Sequence, residues 1–315
     1  MKKLFILFVI LAVASLFIGV QHISLADLLA WKEDDIEVLM ISRIPRLISI
    51  IIAGASMSVC GLIMQQLSQN KFVSPTTAGT MDCARLGILV SLIWFASASP
   101  LLKVTIAFLF AFAGTMIFMR VLERVKYKDA VFIPLVGLMF GNIVSSMTTF
   151  FAYKYDLIQS ISSWLHGDFS MMMKGRYELL YLSIPLMIVA YMYANRFTIA
   201  GMGEEIATNL GLRYRYIVNV GLVIVAATSS LVVLTVGTLP FLGLIIPNIV
   251  TLYYGDHLEK VLPLTALSGA VFVLVCDIFG RVIIYPYEIP IGLTVGVIGS
   301  GVFLYLLVRR RKRYV

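Results

Sequence analysis

The chain has 315 residues, 60% of them hydrophobic and 13% charged, with a net charge of +8 and a mean hydropathy of +0.95. A soluble globular domain does not sustain that balance, because so much apolar surface must face lipid or other buried helices. The basic excess sits in short loops beside apolar runs, which is the pattern of membrane orientation and excludes a nucleic-acid binder as the simplest reading.

Apolar runs long enough to cross about 30 Å of hydrocarbon occur at 4–20, 47–64, 78–98, 104–119 and 130–152, then at 179–194, 216–236, 239–254, 261–279 and 289–308. The longest polar stretch, 153–176, is too short for a separate domain, so 1–315 reads as one all-α, polytopic membrane domain of about ten transmembrane helices. The first run follows Met1-Lys2-Lys3 in the manner of a secretory signal. It continues to Val20 without a small-residue cleavage site, so it is expected to stay as the first span.

Loop charge sets the orientation. With the N-terminus inside, the cytoplasmic side collects Lys2, Lys3, Lys71, Arg120, Arg124, Lys126, Lys128, Arg196, Arg213, Arg215, Lys260 and the basic tail 309–313. The outer side holds Lys32, Arg43, Arg46, Lys103, Lys154, Lys174, Arg176 and Arg281, half as many. Both termini are therefore expected in the cytoplasm. The count also leaves Arg43, Arg46 and Arg281 at the outer mouth, where cations are usually depleted, and this suggests an acidic partner arriving from outside. The first outer loop carries Asp27, Glu33, Asp34, Asp35 and Glu37.

The second span opens on Arg43-Ile44-Pro45-Arg46, with Pro45 suited to a first helical turn. Gly54, Ser58 and Gly61 follow at i, i+4 and i+7, a small-residue stripe that lets another helix approach. Asn70 to Gly79, containing Ser74 and Pro75, is polar and proline-broken; it reads as an ordinary loop or as part of an inner gate. In the third span Asp82 and Arg85 form an i, i+3 pair, expensive in a membrane unless the two neutralise each other or serve the cargo path.

The segment 196–215 is cytoplasmic in this topology. It predicts a short helix with Gly203 before it, Glu204 and Glu205 in its first turn, and Gly211 stopping it. Ile206, Ala207 and Leu210 form a small apolar face, fit either for a partner groove or for lying on the membrane surface. Further on, Pro247 is expected to break or bend the eighth span. Asp277 and Arg281 read as an intrahelical i, i+4 pair, and Gly292 and Gly296 as a helix-packing step.

No catalytic or energy-coupling motif appears. A GxxxxGK[ST] phosphate loop is absent from the sequence, His22, His166 and His257 are scattered, and Cys60, Cys83 and Cys276 lie singly within apolar runs. No catalytic residue, metal ligand set or cofactor is assigned.

Taken in order, Arg43-Ile44-Pro45-Arg46, the second span, 70–79, Gly203-Glu204-Glu205-Ile206-Ala207 with Leu210-Gly211, Phe241 to Pro247 and Glu288-Ile289-Pro290-Ile291-Gly292 span nearly the whole chain. Together they resemble the permease subunits of bacterial ABC importers for iron–siderophores, haem and cobalamin, the FecCD type. The resemblance implies the ABC type II importer permease fold, a second permease subunit (identical or a sister chain), two cytoplasmic ABC ATPases and an extracytoplasmic siderophore-binding protein. It assigns Arg43, Arg46 and Arg281 to docking glutamates of the binding protein. It assigns Glu204, Glu205, Ala207, Leu210 and Gly211 to ATPase coupling, and Asn70, Ser74 and Pro75 to the gate. This chain has Asn70-Lys71 where the family usually has Asn-Pro, and Asp82, Cys83 and Arg85 where it has small residues. The expected activity is passage of an intact ferric siderophore, of catecholate type, across the bacterial cytoplasmic membrane, powered by a separate ATPase. An ion-coupled secondary carrier is the alternative, with Asp82 and Asp277 as its only titratable centres; a membrane enzyme lacks any nucleophile–base pair.

Overall fold

A computed structural model of the protein describes residues 1–19, 33–124, 132–165, 167–170, 172 and 177–311. Asp27, Lys32, Lys126, Lys128, Lys174, Arg176, His22, His166 and the tail 312–315, all used above, lie outside these residues. Every regular element among the described residues is a helix. Helix α1 is Lys2–Phe17, and α2 (Glu33–Val38) runs through a π-helical turn, Leu39–Arg43, into α3 (Ile44–Leu67). Next come α4 (Thr80–Trp94), α5 (Pro100–Arg124), α6 (Phe132–Lys154) and the short α7 (Ile158–Leu165). A 3-10 turn, Glu178–Leu182, leads into α8 (Ser183–Met192), which meets α9 (Ala194–Ala200) at a 60° bend. The chain ends with α10 (Glu204–Asn209), α11 (Tyr214–Thr235), α12 (Leu242–Tyr254), α13 (Leu258–Val282) and α14 (Ile291–Arg311).

Each of the ten apolar runs coincides with a helix or with the bent α8–α9 pair. By length and composition, five described helical stretches can cross a membrane alone, or six if the bent pair counts as one. Four of the ten runs fall short by length: α1, α4 and α12 have 16, 15 and 13 residues, and the apolar part of α14 is Ile291–Leu306. Helices α4 and α12 are each preceded by irregular, largely buried backbone. Nonhelical chain at membrane depth is tolerated where protein encloses it.

Helix α3 is the spine of the molecule, in contact with α11, α12 and α13. Ile50, Ala53, Met57, Ile63 and Met64 are fully buried along it. The small-residue stripe does what its spacing predicts. A Cβ on Gly54 would lie 2.9 Å from the Gly269 carbonyl oxygen of α13, and one on Gly61 would lie 1.8 Å from the Gly243 carbonyl oxygen of α12. No other residue than glycine fits that second contact, because backbone meets backbone.

Pro247 does not break its helix; α12 continues through it as a 13-residue element. Proline cannot donate to the Gly243 carbonyl one turn back, and neighbouring side chains make up the deficit. The Gln65 amide donates to the Gly243 and Leu244 oxygens at 3.5 and 3.2 Å, and the Asn248 amide donates to the Leu244 oxygen at 2.7 Å. The polar end of the second span thus supports a proline-containing helix against which it packs.

Candidate functional site: two polar ends of one spine

The chemistry-bearing residues collect at the two ends of α3, which by helical rise are about 31 Å apart from Arg46 to Leu67. At the first end, α3, α13, the turn after α13 and the end of α1 converge on an ionic cluster. Arg46 donates from Nε and Nη2 to Asp277 Oδ1 at 3.2 and 2.8 Å, and from Nη1 to Glu288 Oε2 at 2.7 Å. Asp277 Oδ2 lies 2.5 Å from Arg281 Nη2, so the intrahelical pair expected from sequence forms, but Arg46 makes it a triad. The Asp277 and Arg281 side chains are each 2% exposed, Arg46 is 12% exposed and Glu288 is 24% exposed.

Arg281 also closes the first helix. It donates to the Ser15 and Ile18 carbonyl oxygens at 3.0 and 2.6 Å and to the Ser15 hydroxyl at 2.6 Å. Arg43, itself buried, donates to the same Ile18 oxygen. These carbonyls end α1, where orphan acceptors and the negative end of the helix dipole both favour a cation. The three arginines singled out from sequence are therefore brought together, but turned into the protein and engaged by its own acceptors. Sequence reading missed Ser15, Ile18 and the role of Glu288; the isolated Glu288 between Tyr287 and Ile289 was the available signal.

At the second end lies the predicted short helix, α10. Gly211 has φ +79°, Leu212 N donates to Ala207 O at 2.9 Å, and Gly211 N donates to Thr208 O at 2.9 Å. That bonding closes the last carbonyls with a left-handed residue that glycine adopts without strain. The expected apolar face divides: Ala207 is fully buried, whereas Ile206 and Leu210 point outward with Met202. One helical turn separates the last two, so α10 presents an apolar ridge flanked by exposed Glu204 and Glu205. Glu204 is 3.8 Å from Arg215, an exposed pair that contributes little.

The segment 70–79 is fixed between these helices rather than looping freely. Asn70 Oδ1 accepts from Phe72 N at 2.8 Å, Thr77 Oγ1 accepts from Ser74 N at 2.8 Å, and Ala78 N donates to Ser74 O at 2.9 Å. Ser74 is fully buried, and a Cβ on Gly243 of α12 would lie 3.4 Å from Pro75 Cδ. Lys71, the departure noted in sequence, pairs with Asp256 after α12, while Asn248 donates to the Lys71 carbonyl at 2.6 Å. The end of α3 also touches the α9–α10 turn: a Cβ on Gly201 would strike the Gln66 amide at 2.2 Å. The segment, α12 and the α9–α10 turn thus share contacts with one helix end.

Asp82 and Arg85 of α4 lie apart from both ends. Arg85 Nη1 donates to Asp82 Oδ1 at 3.2 Å, and both side chains are mostly buried, at 13% and 19% exposed for Arg85 and Asp82. Asp82 fits beside Gly141 of α6, where a Cβ would come within 2.7 Å of its carboxylate. Cys60, Cys83 and Cys276 are buried thiols in helix contacts, Cys83 against Gly114.

Comparison with known proteins agrees with this arrangement. The chain is 66% identical over 311 residues to the petrobactin import system permease protein YclN of Bacillus subtilis, covering 99% of this chain and 98% of that one. It is 40% identical to the ferric-anguibactin transport system permease protein FatD of Vibrio anguillarum, over 98% of this chain and 99% of the other. In three dimensions it matches a chain from a metal-chelate type ABC transporter solved in an inward-facing conformation, with a TM-score of 0.82, 23% identity and 98% of each chain covered. Residues 7–309 match the FecCD transport family, and the chain belongs to that family: it is a multi-pass membrane permease subunit of an ABC transporter, not itself an enzyme.

Proposed function

We propose that this chain is the membrane conduit of an importer that carries an intact ferric siderophore across the bacterial cytoplasmic membrane. The observation that carries the reading is the 66% identity, sustained from end to end, with a permease of a petrobactin import system. A second relative, at 40%, is named for ferric anguibactin, which supports an iron chelate as cargo; the catecholate type stays part of the proposal. The sequence offers no Cys/His ligand cluster, so iron arrives already chelated.

The permease works with a second permease subunit (an identical or sister chain), two cytoplasmic ABC ATPases and an extracytoplasmic binding protein, with both its termini in the cytoplasm. The ionic cluster of Arg43, Arg46 and Arg281 then lies at the outer mouth and α10 at the cytoplasmic face. Arg46, the most accessible of the three, meets a glutamate of the binding protein. Arg43 and Arg281 hold α1 in place beneath it. Glu204, Glu205 and Leu210 engage the ATPase, with Ala207 and Gly211 fixing the helix that presents them. Asn70, Ser74 and Pro75 move as the inner gate, because the helix end that holds them also touches the α9–α10 turn. Asp82 and Arg85 neutralise each other inside the bundle.

Co-purification tests the class. The tagged chain, extracted in mild detergent, is expected to bring down an ATP-hydrolysing subunit at a fixed ratio. An ion-coupled carrier would purify without one, and loss of the ATPase under every mild condition would overturn the reading.

A further inference from the structure

We propose that Glu288 is a built-in occupant of the docking socket, holding Arg46 until a carboxylate of the incoming binding protein displaces it. The inference rests on the docking role given to Arg46 above and adds how that contact is controlled. Arg46 divides its donors between two carboxylates of different character. Nε and Nη2 serve Asp277, which is 2% exposed and shared with Arg281 inside the helix pair. Nη1 serves Glu288, which is 24% exposed and stands on nonhelical backbone between α13 and α14.

The two contacts therefore differ in what can replace them. Removing Asp277 would strand two buried guanidinium groups. Removing Glu288 leaves Arg46 still paired with Asp277, though that carboxylate is shared with Arg281, and frees the Nη1 donor. Arg46 itself is only 12% exposed, so a carboxylate from outside reaches Nη1 by taking the place of Glu288. The charge and reach required of the newcomer are those of an acidic side chain on a protein surface. Exposed Tyr287, immediately beside Glu288, provides a rim of the kind found around charged anchors in protein interfaces.

Displacement also has somewhere to go. Glu288 is three residues before α14; Ile289 N donates to Gly280 O at 3.0 Å, and Gly292 N, in the first turn of α14, donates to Gly167 O at 3.0 Å. Releasing the Glu288 side chain loosens the anchor that sets where the last helix begins. Occupation of the socket is thereby linked to the position of a membrane-crossing element, and by reciprocity a shift of α14 alters how readily the socket opens.

A receptor whose site is closed for part of the time binds more weakly by the fraction that is open. Glu288→Gln removes the competing charge while keeping the side chain's shape. Capture of the fluorescently labelled binding protein that co-purifies with the importer is measured on the complete importer in nanodiscs across a salt series. Glu288→Gln is expected to tighten capture by about fivefold, the scale of one partly exposed ion pair, and to steepen its dependence on salt. Unchanged or weaker capture, with an unchanged salt slope, overturns the proposal. Should Glu288→Gln fail to assemble, Glu288→Asp replaces it; the shorter arm withdraws the carboxylate from Nη1, a smaller tightening is expected, and unchanged capture again overturns it. Arg46→Glu separates the two levels. If Arg46→Glu abolishes capture and Glu288→Gln does nothing, the occupant idea fails alone; if Arg46→Glu leaves capture intact, the docking role fails and the occupant idea with it.

Discussion

At the residue scale, the ionic cluster shows that two carboxylates near one arginine are not equivalent. Asp277 sits between Arg46 and Arg281 with almost no solvent contact, so each guanidinium depends on it for compensation. Breaking a buried pair by removing one partner costs roughly 3–5 kcal/mol, because the remaining charge is stranded. Asp277→Ala is accordingly expected to lose that much stability and most of its yield, whereas Glu288→Gln, at a half-open site, is expected to cost under about 1 kcal/mol. Thermal unfolding of the two purified variants, compared in the same detergent, checks the contrast; equal melting temperatures would show that Asp277 does not hold the cluster.

The same cluster marks where residue-level reading of the sequence stops. The i, i+4 spacing of Asp277 and Arg281 made their pair visible, since neighbours on one helix follow from periodicity alone. The partners that complete the cluster come from sequence positions hundreds of residues away: Arg46 from the second span, and Ser15 and Ile18 from the first. No local pattern encodes those contacts. Orientation counting placed the arginines at one mouth, but it says nothing about whether they face out or in. Lys71 illustrates the same limit, because its departure from the family pattern was legible and its partner, Asp256, was not.

At the scale of elements, each of the ten apolar runs read from hydropathy falls on a helix or on the bent α8–α9 pair, and the small-residue stripe of α3 identified its packing face. What hydropathy could not supply was the rescue of a helix by its neighbours. Pro247 predicted a break or a bend; the helix stays continuous, and the Gln65 amide from another helix and the Asn248 amide from the next residue supply donors to the carbonyls around it. In α10 the capping glycine was correctly read, yet burial split the apolar face, since Ala207 turned inward where the helix packs on its own chain. The closest helix contact gives a direct test. Gly61→Val puts side-chain atoms where the Gly243 carbonyl already lies, a separation of 1.8 Å for the first carbon alone. Forcing α3 and α12 apart should cost about 3 kcal/mol or more. Gly301→Ala, where nothing lies within 4 Å of the added carbon, should be neutral or slightly stabilising. Melting temperatures of the two variants that moved together would contradict the packing described for α3.

At the scale of the whole molecule, the distribution of chemistry carries the functional account. Both polar constellations are at the ends of one buried helix, and the middle of the bundle offers only the mutually paired Asp82 and Arg85 among charged side chains away from those ends in the described residues. Under the proposed function, these two ends are the handles by which partners act on the permease. A ligand or partner moves a two-state equilibrium only as far as its affinities for the states differ. Under the function proposed above, the loaded binding protein at one end and ATP-bound subunits at the other must each favour one arrangement of the permease.

Uptake of a ferric siderophore into proteoliposomes tests that dependence most directly, with the permease reconstituted with or without its ATPase and binding protein. Accumulation against a gradient is expected only when ATP, the ATPase and the loaded binding protein are all present, and is expected to vanish when any one is withheld. Accumulation by the permease alone, driven by a proton or sodium gradient, would contradict the account.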